Sequence, residues 1–298
     1  MKLRIVEVPY RYDERHDGLG RGPRALLDAG LVDRLRETPV GTPDVVTAEL
    51  PESERVDGPV AVNIGRLGAN VGALVGEGHD HDERVLVLAG DDTAAVGVVS
   101  GLQQSRGAAH RIGVVWFDAH GDFNTPETSV SNILAGMPLA ILAGLAGPLW
   151  REAAMLAATI PTDRIVVAGI RELDDAEEQL LTSTDVRLLR QEDALAGTTF
   201  ADVVAKLADR VDDLYVHIDL DVLDPSLVPS SSTPSPRGMS LQQLEGLLDV
   251  TFTTGKVAVL AVAGLNPGGG QRGQQSVKST RSLLESVVPR WVGRGQDR

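Results

Sequence analysis

The sequence contains no cysteine, and this absence excludes disulfide frameworks, thiolate metal sites and cysteine nucleophiles. Basic residues are also few: 28 lysines and arginines stand against 42 aspartates and glutamates, a formal net charge of −14. General nucleic-acid binding needs a basic surface, so we expect no nucleic-acid partner. No apolar stretch approaches the roughly 20 residues that span a bilayer, so no membrane partner is expected either. The N-terminus lacks a signal-peptide pattern, and a cytoplasmic location is predicted.

The length and the order of apolar runs indicate an α/β fold in one domain. A chain of 298 residues, 42% of them hydrophobic, can bury a large core. Short apolar runs alternate with helical patterns throughout, which is typical of βαβ units and a parallel sheet with helices on both faces. No repeat or linker divides the sequence, so a single domain over residues 1–298 is predicted. The expected elements include strands at 60–64, 84–88, 112–117, 186–189 and 214–218, and a helix at 66–75.

Acidic side chains are clustered directly after three of the predicted strands. Ligands bind beyond the carboxyl ends of the strands in an open α/β sheet. Side chains at positions i and i+2 of an extended segment point the same way, so each cluster presents its polar groups together. The clusters are Asp118, His120 and Asp122 after the strand at 112–117, Asp219 and Asp221 after the strand at 214–218, and Asp91 and Asp92 after the strand at 84–88.

These clusters indicate a metal site. Five or six carboxylates that converge without a cation repel one another strongly, and two divalent cations remove that conflict. Oxygen-rich ligands with one or two imidazoles suit Mn²⁺ better than Zn²⁺. Aspartates at strand ends also cap turns and helices, and that structural role would be the better interpretation of a lone pair. A DxHxD pattern together with a DxD pattern, each on its own strand end, favours the metal site.

The segments that carry these clusters resemble the signatures of the arginase/agmatinase (ureohydrolase) family. The family patterns GGDHS, DAHxD and [SH]-[FI]-D-x-D-x-x-D-P correspond here to AGDDT at 89–93, DAHGDFN at 118–124 and HIDLDVLDP at 217–225. The segments GRGPRALLDAGL at 20–31, GIRELD at 169–174 and LNP at 265–267 also look like arginase segments. The resemblance spans most of the chain and implies a three-layer α/β/α sandwich with a mostly parallel sheet.

The resemblance further implies two Mn²⁺ ions per chain and hydrolysis of a guanidinium C–N bond. A water molecule between two cations has a lowered pKa and becomes hydroxide near neutral pH. In the family this bridging hydroxide attacks the guanidinium carbon, and Asp122, the implied catalytic residue, hydrogen-bonds to it. The implied ligands are Asp118 and Asp219 for both ions, Asp92 and Asp122 for one ion, and His120 and Asp221 for the other.

The resemblance extends to the amino-acid end of the substrate. The residues that bind the substrate α-carboxylate in the family fall on Asn124, Ser129 and Ser131. The spacing from Asp118 matches the family without an insertion or deletion. The aspartate that faces the α-ammonium group falls on Asp174, and a threonine near the guanidinium falls on Thr233. Loop serines and asparagines are commonly turn formers, so a purely structural role for Ser129 and Ser131 stays open. The joint match favours an α-amino-acid substrate over agmatine, which has no carboxylate.

Three positions depart from the family pattern. Asp92 replaces a histidine ligand, Ala135 replaces a proton-shuttle histidine, and Gly264 replaces the glutamate that grips the guanidinium. An Asp oxygen lies as many bonds from Cα as a His Nδ1, so Asp92 can reach the same ion. Gly264 removes charge-assisted hydrogen bonds to a guanidinium and leaves space for a larger or less basic group. The loss of a general acid at Ala135 typically costs about 10²–10⁴ in rate.

The histidines outside the DxHxD motif are less informative. His217 precedes Asp219 by two residues and points the same way, so it either supports a ligand from behind or is a hydrogen-bonded core residue. His79 and His81 lie in an acidic segment that is predicted to be a solvated loop. His16 and His110 are predicted at the surface.

Two functions remain open from the sequence. The first is a Mn-dependent hydrolase of a guanidino or modified guanidino amino acid, for example an N-hydroxyguanidine, with weak or no activity on arginine. The second is a catalytically impaired homologue that binds metal or ligand as a regulatory protein, because both Ala135 and Gly264 erase functional side chains. Arginases commonly form trimers or hexamers, so a homo-oligomer is an open expectation.

Overall fold

The fold is built around one parallel sheet. A computed structural model of the chain describes residues 2–294, so residue 1 and residues 295–298 of the predicted domain lie outside the described part. The strands are β1 (Leu3–Val8), β2 (Asp44–Thr47), β3 (Arg84–Ala89), β4 (Ile112–Phe117), β5 (Ile165–Ile170), β6 (Arg187–Arg190), β7 (Asp213–Asp219) and β8 (Val257–Ala263). Their order across the sheet is β2-β1-β3-β8-β7-β4-β5-β6, and all neighbours are parallel.

Helices cover both faces of this sheet and complete three layers. One hydrophobic core lies between the sheet and α3 to α6, and a second lies between the sheet and α1, α2 and α9 to α11. The predicted fold class is therefore confirmed. None of the helices within residues 2–294 combines the length and the apolarity needed to cross a bilayer. The helices are α1 (Gly22–Asp28), α2 (Leu31–Arg36), α3 (Val60–Asp80), α4 (Ala95–Arg106), α5 (Pro138–Leu142), α6 (Pro148–Ala153), α7 (Asp175–Thr182), α8 (Gln191–Leu195), α9 (Thr199–Ala208), α10 (Leu241–Phe252) and α11 (Gln271–Gly293).

The strand predicted at 60–64 is wrong, because that segment is the first turn of the long helix α3. The buried residues Ile64, Leu67, Val71 and Val75 recur every three or four positions, which is the spacing of one helix face. The short apolar run that resembled a strand is the start of this face. The strand predicted at 186–189 is present one residue later as β6, whereas the edge strand β2 was not predicted.

Candidate metal centre

The three acidic segments meet at the carboxyl ends of β3, β7 and β4. Asp118 follows β4 directly, and Asp219 is the last residue of β7. Short 3₁₀ turns follow β3 and β7, at Asp92–Ala94 and Leu220–Val222, and they turn Asp92 and Asp221 back over the end of the sheet. The sheet order thus brings together segments that are more than a hundred residues apart in the chain.

Three of the six predicted metal ligands form a tight group. Ligand atoms of Asp118, His120 and Asp221 all lie within 4.8 Å of one another. Nδ1 of His120 lies 3.0 Å from Oδ2 of Asp221 and 3.5 Å from Oδ1 of Asp118. Within residues 2–294, these are the residues whose atoms are close enough to share an ion by this distance. The family resemblance implies His120 and Asp221 as ligands of one ion and Asp118 as a ligand of both ions.

The other three predicted ligands are buried beside this group. Asp92, Asp122 and Asp219 are almost fully buried, and burial, followed by the charge of neighbouring carboxylates, raises the pKa of each. Oδ2 of Asp122 is buried and has no hydrogen-bond partner in the described part of the chain. A buried, unpartnered carboxylate oxygen among other carboxylates is a position that a cation would stabilise.

The pKa values of these carboxyl groups report the same conflict. Burial, followed by the charge of Asp221, raises the pKa of Asp92 to about 7 and that of Asp118 to about 6. Burial and neighbouring carboxylates also hold the pKa of Asp122 and of Asp219 well above its usual range. The cluster therefore binds protons near neutral pH unless a cation is supplied in addition to the charge of His120.

His120 supplies positive charge to the cluster in this structure. Burial lowers its pKa, but hydrogen bonds with Asp118 and Asp221 outweigh burial and raise it to about 12. The same hydrogen bond from His120 holds the pKa of Asp221 below its usual range in spite of burial. A divalent cation would replace this proton, because a metal-bound histidine is neutral. An oxygen-rich donor set with one imidazole fits Mn²⁺.

Hydrogen bonds from neighbouring groups fix the carboxylates. Nε1 of Trp116 donates to Oδ2 of Asp118 at 2.9 Å, and the main-chain nitrogen of Asp221 donates to Oδ1 of Asp219 at 2.9 Å. The hydroxyl of Thr233 donates to Oδ2 of Asp221 at 2.8 Å. Thr233 thus contacts a candidate ligand, and its expected role near a guanidinium stays a prediction.

Buried groups that the sequence analysis did not select also support the site. The carboxylate of Glu177, on α7, accepts a hydrogen bond from the main-chain nitrogen of Phe123 at 2.9 Å. Burial raises the pKa of Glu177 to about 7. Trp116 lies two residues before Asp118, and Tyr215 lies two residues before His217. The period of two along a strand could therefore have identified both. Glu177 belongs to a separate helix, and no local pattern connects it to the site.

His217 is buried, and its hydrogen bonds link it to the site. Its Nε2 lies 2.8 Å from Oδ1 of Asp92, and its Nδ1 lies 2.7 Å from the hydroxyl of Tyr215. Burial lowers the pKa of His217 to about 3, so the imidazole is neutral. Both structural interpretations of this residue are compatible with these contacts, and the contact with Asp92 places it directly behind a predicted ligand.

The predicted substrate-binding residues Asn124, Ser129, Ser131 and Asp174 lie in loops. The Asn124 side chain is buried and accepts a hydrogen bond from Thr128. The Ser129 and Ser131 hydroxyl oxygens accept hydrogen bonds from main-chain nitrogens two or three residues later, and each hydroxyl keeps its hydrogen to donate. Asp174 is exposed before α7 and makes no capping hydrogen bond. The substrate-binding roles of these residues stay predictions.

Gly264 lies closer to the carboxylate cluster than its sequence suggested. Its φ angle is +83°, which disfavours every residue except glycine. A Cβ atom built at this position would lie 2.4 Å from Oδ1 of Asp219. A glutamate at 264 would therefore force the Asp219 carboxylate to shift from this place. Ala135 lies in the turn Leu134–Gly136, and a Cβ atom built at the neighbouring Gly136 would lie 4.0 Å from Oδ1 of Asp122.

His79 was predicted in a solvated loop and His110 at the surface, but both are hydrogen-bonded to one carboxylate. His79 belongs to α3 and is buried, and its Nε2 lies 2.9 Å from Oδ2 of Asp213. Nε2 of His110 lies 2.7 Å from the same oxygen. Asp213 begins β7 and Asp219 ends it, so the two histidines lie at the amino end of this strand and the metal cluster lies at its carboxyl end. The surface prediction failed because it depended on sequence neighbours, whereas the partner is more than a hundred residues away.

Comparisons with known proteins agree with the fold and the motifs. The model of the arginase family matches residues 1–288. The arginase of Bacillus caldovelox is 29% identical over 250 residues, which cover 81% of this chain and 83% of that protein. The arginase of Staphylococcus aureus (strain MSSA476) is 30% identical over 281 residues, which cover 88% of this chain and 89% of that protein.

Solved structures give the same result at the level of the fold. The crystal structure of the B. caldovelox arginase superposes with a TM-score of 0.84 at 26% identity, covering 96% of this chain and 97% of that one. An arginase from Entamoeba histolytica in complex with L-ornithine gives 0.82 at 24% identity, with 95% and 98% covered. The formimidoylglutamase of Bacillus subtilis gives 0.74 at 17% identity, with 98% and 87% covered.

The parallel sheet, the carboxylate cluster at its edge and the family match define a ureohydrolase-type protein. The chain belongs to the arginase family.

Proposed function

We propose that this chain is a manganese-dependent hydrolase that cleaves a C–N bond in a guanidino or modified guanidino amino acid, and that arginine itself is a poor substrate. The observation that carries the proposal is the position of Gly264 against Asp219. The carboxylate cluster is retained, while a side chain at the place of the glutamate that grips a guanidinium would have a strained backbone and would displace the Asp219 carboxylate.

The donor set fits two cations. Asp118 and Asp219 would be shared, Asp92 and Asp122 would complete one site, and His120 and Asp221 would complete the other. When bound, divalent ions lower the pKa of water and thereby supply a nucleophile at neutral pH. The buried, unpartnered Oδ2 of Asp122 supports a role for this residue as hydrogen-bond acceptor beside the reacting atoms.

The loop residues are suited to an amino-acid substrate. Asn124, Ser129 and Ser131 have an amide or hydroxyl group that can donate to a carboxylate, and Asp174 has an exposed carboxylate that can face an ammonium group. The E. histolytica arginase was solved with L-ornithine, an amino acid with both groups. An α-amino acid therefore fits these loops better than agmatine does.

The departures at Ala135 and Gly264 favour a less basic reacting group. Ala135 offers no general acid, so a leaving group that needs little protonation reacts more readily. Gly264 offers no counter-charge, so a neutral or weakly basic head group loses less than a guanidinium does. An N-hydroxyguanidino group has both properties.

A substrate panel tests the proposal. The Mn²⁺-loaded protein would be assayed on arginine, N-hydroxyarginine, agmatine and guanidinobutyrate by release of urea or hydroxyurea, with an arginase as positive control. We expect turnover of a modified guanidino acid at a rate well above that of arginine. A higher rate on arginine would contradict the proposed specificity. Two bound ions without turnover of any of these compounds would contradict the hydrolase and support the regulatory homologue.

A further inference from the structure

His217 has no role in the proposed chemistry, yet it is fixed on every side. It hydrogen-bonds to Asp92 and to Tyr215, and its ring stacks on Trp116 with centroids 3.6 Å apart and planes 9° from parallel. Trp116, Tyr215 and His217 are completely buried. We name these three residues the aromatic support. Trp116 and His217 are paired in register on the neighbouring strands β4 and β7, so the sheet itself holds the support in place.

The hydrogen bonds of the aromatic support have a definite direction. A carboxylate that binds a metal is ionised and only accepts, so with Asp92 in that state Nε2 of His217 carries the hydrogen that is directed to Oδ1 of Asp92. Nδ1 of the neutral ring then accepts, and the hydroxyl of Tyr215 donates to it. The two bonds form a chain from Tyr215 through His217 to Asp92. Ala261, the register partner of His217 on the intervening strand β8, has a small side chain beside the imidazole.

We propose that His217 is a positioning residue for metal binding, because its Nε2–H fixes Oδ1 of Asp92 and leaves the other carboxylate oxygen for the ion. The proposal rests on the metal site proposed above and explains how an aspartate serves at position 92. An aspartate there adds a negative charge beside Asp219 and Asp221, and a neutral donor behind it offsets part of that charge. Partners of this kind typically change metal affinity by about 10–100-fold.

The chain provides a matched control for this pair. His79 is also buried, and its Nε2 also lies 2.9 Å from an aspartate oxygen, that of Asp213. Asp213 is the first residue of β7. His217 lies near the other end of this strand, next to the metal cluster. Loss of His79 therefore removes a buried His–Asp bond without touching a candidate ligand.

The test measures Mn²⁺ affinity and stoichiometry rather than activity. Full-length wild type, His217→Leu, His217→Gln and His79→Leu would be stripped of metal, checked for folding by circular dichroism, and titrated with Mn²⁺ against a chelating indicator. We expect His217→Leu to bind one ion about 10–100-fold more weakly. His217→Gln keeps an N–H donor and should stay within about threefold of wild type. His79→Leu should bind as wild type does.

A second variant covers failure of His217→Leu to fold. Tyr215→Phe keeps the ring and removes only the hydroxyl that orients His217, so we expect an affinity loss of about three- to tenfold. Unchanged affinity in the folded His217→Leu protein, or in Tyr215→Phe if the former does not fold, overturns the role of His217. An equal loss in His217→Gln and His217→Leu also overturns it, because the donor would then be irrelevant. Wild type that binds no Mn²⁺ overturns the metal site itself.

Discussion

Gly264 illustrates how one backbone position restricts the chemistry of a whole site. Both its positive φ and the nearby oxygen of Asp219 exclude a side chain. Gly269, five residues later, has the same φ of +83° but nothing within 4 Å of a built Cβ. Substitutions at these two positions would share the backbone strain, and only the substitution at 264 would also contact the carboxylate of Asp219.

Gly264→Ala should weaken metal binding, whereas Gly269→Ala should not. Both substitutions place a side chain at positive φ, which costs roughly 1–2 kcal/mol of folding free energy. Only the first displaces Asp219, so we expect Mn²⁺ affinity to fall about tenfold or more in Gly264→Ala alone. Metal titration and denaturant unfolding of both variants check this. Equal Mn²⁺ affinities would show that the carboxylate moves aside without consequence. Gly264→Glu, for the same reason, should not create arginase activity.

Asp118→Asn and Asp219→Asn should each remove both ions. Each carboxylate is expected to be shared, so neutralising one of them leaves both metal positions short of a ligand. Asp174→Asn is the control, because Asp174 is exposed and outside the cluster. Elemental analysis after gel filtration should give close to two Mn²⁺ per chain for the control and close to none for the other two variants. Two ions retained in either cluster variant would refute the shared-ligand assignment.

The candidate ligands could be selected from the sequence because their spacing is local, and their role as ligands stays a prediction. Asp118, His120 and Asp122 alternate along one segment, and an extended backbone would place them on one side. In the structure the backbone turns at Asp122, whose φ is 48°, and Asp221 takes its place in the tight group with Asp118 and His120. The contact between Gly264 and Asp219 could not be predicted, since it joins residues 45 positions apart through the register of β7 and β8.

At the scale of secondary-structure elements, Arg171 joins the loops that follow β5 and β7. Its half-buried guanidinium donates to the carbonyl oxygens of Gly169, Asp221 and Val222. Burial lowers the pKa of Arg171 from its usual value, and a guanidinium stays protonated in proteins. One side chain therefore satisfies carbonyl groups of strand β5 and of the turn Leu220–Val222, and the turn that carries Asp221 depends on it.

Arg171→Met should destabilise the fold by about 2–4 kcal/mol, because buried carbonyl oxygens lose charged donors. Arg210→Met is the matched control: Arg210 is exposed in an ion pair with Asp163 and should cost less than about 1 kcal/mol. Urea unfolding followed by circular dichroism measures both free energies. A loss in Arg171→Met no larger than in the control would mean that water replaces the guanidinium without cost.

Helix α3 shows why element boundaries escaped the sequence analysis. The run at 60–64 has the composition of a strand, and only its continuation to Val75 reveals the helical spacing. Close packing against α4 stabilises the helix. A Cβ added to Gly97 of α4 would lie 2.4 Å from the carbonyl oxygen of Gly68 in α3. Two helices can approach this closely only through glycines, and this tertiary contact is invisible in a local window.

At the scale of the whole molecule, stability should depend on pH and metal together. The pKa of Asp92 is raised to about 7 and that of Asp118 to about 6, above the ordinary value of 3.8. An acid with a higher pKa in the folded state destabilises the fold as pH rises, because the unfolded chain releases its proton more readily. This contribution to stability is present below about pH 4 and is lost by about pH 7.

Metal-free protein should therefore melt at a lower temperature at pH 7 than at pH 5, by on the order of 5 °C. Mn²⁺ should raise the melting temperature, and more so at pH 7, since it binds ionised carboxylates. Differential scanning calorimetry with and without chelator measures both effects. Asp92→Asn should flatten the pH dependence of the metal-free protein. A metal-free protein that gains stability from pH 5 to pH 7 would refute this account of the cluster.

The position of β8 has a consequence for how the molecule is completed during synthesis. It is the last strand in the sequence, yet it lies between β3 and β7, in the middle of the sheet. Until residues 257–263 have left the ribosome, the strands that carry Asp92 and Asp219 have no common neighbour. The residues that follow β4 and β7 can meet before that point, because these two strands pair directly. Asp92 joins them only when the final strand inserts and converts two half-sheets into one continuous layer.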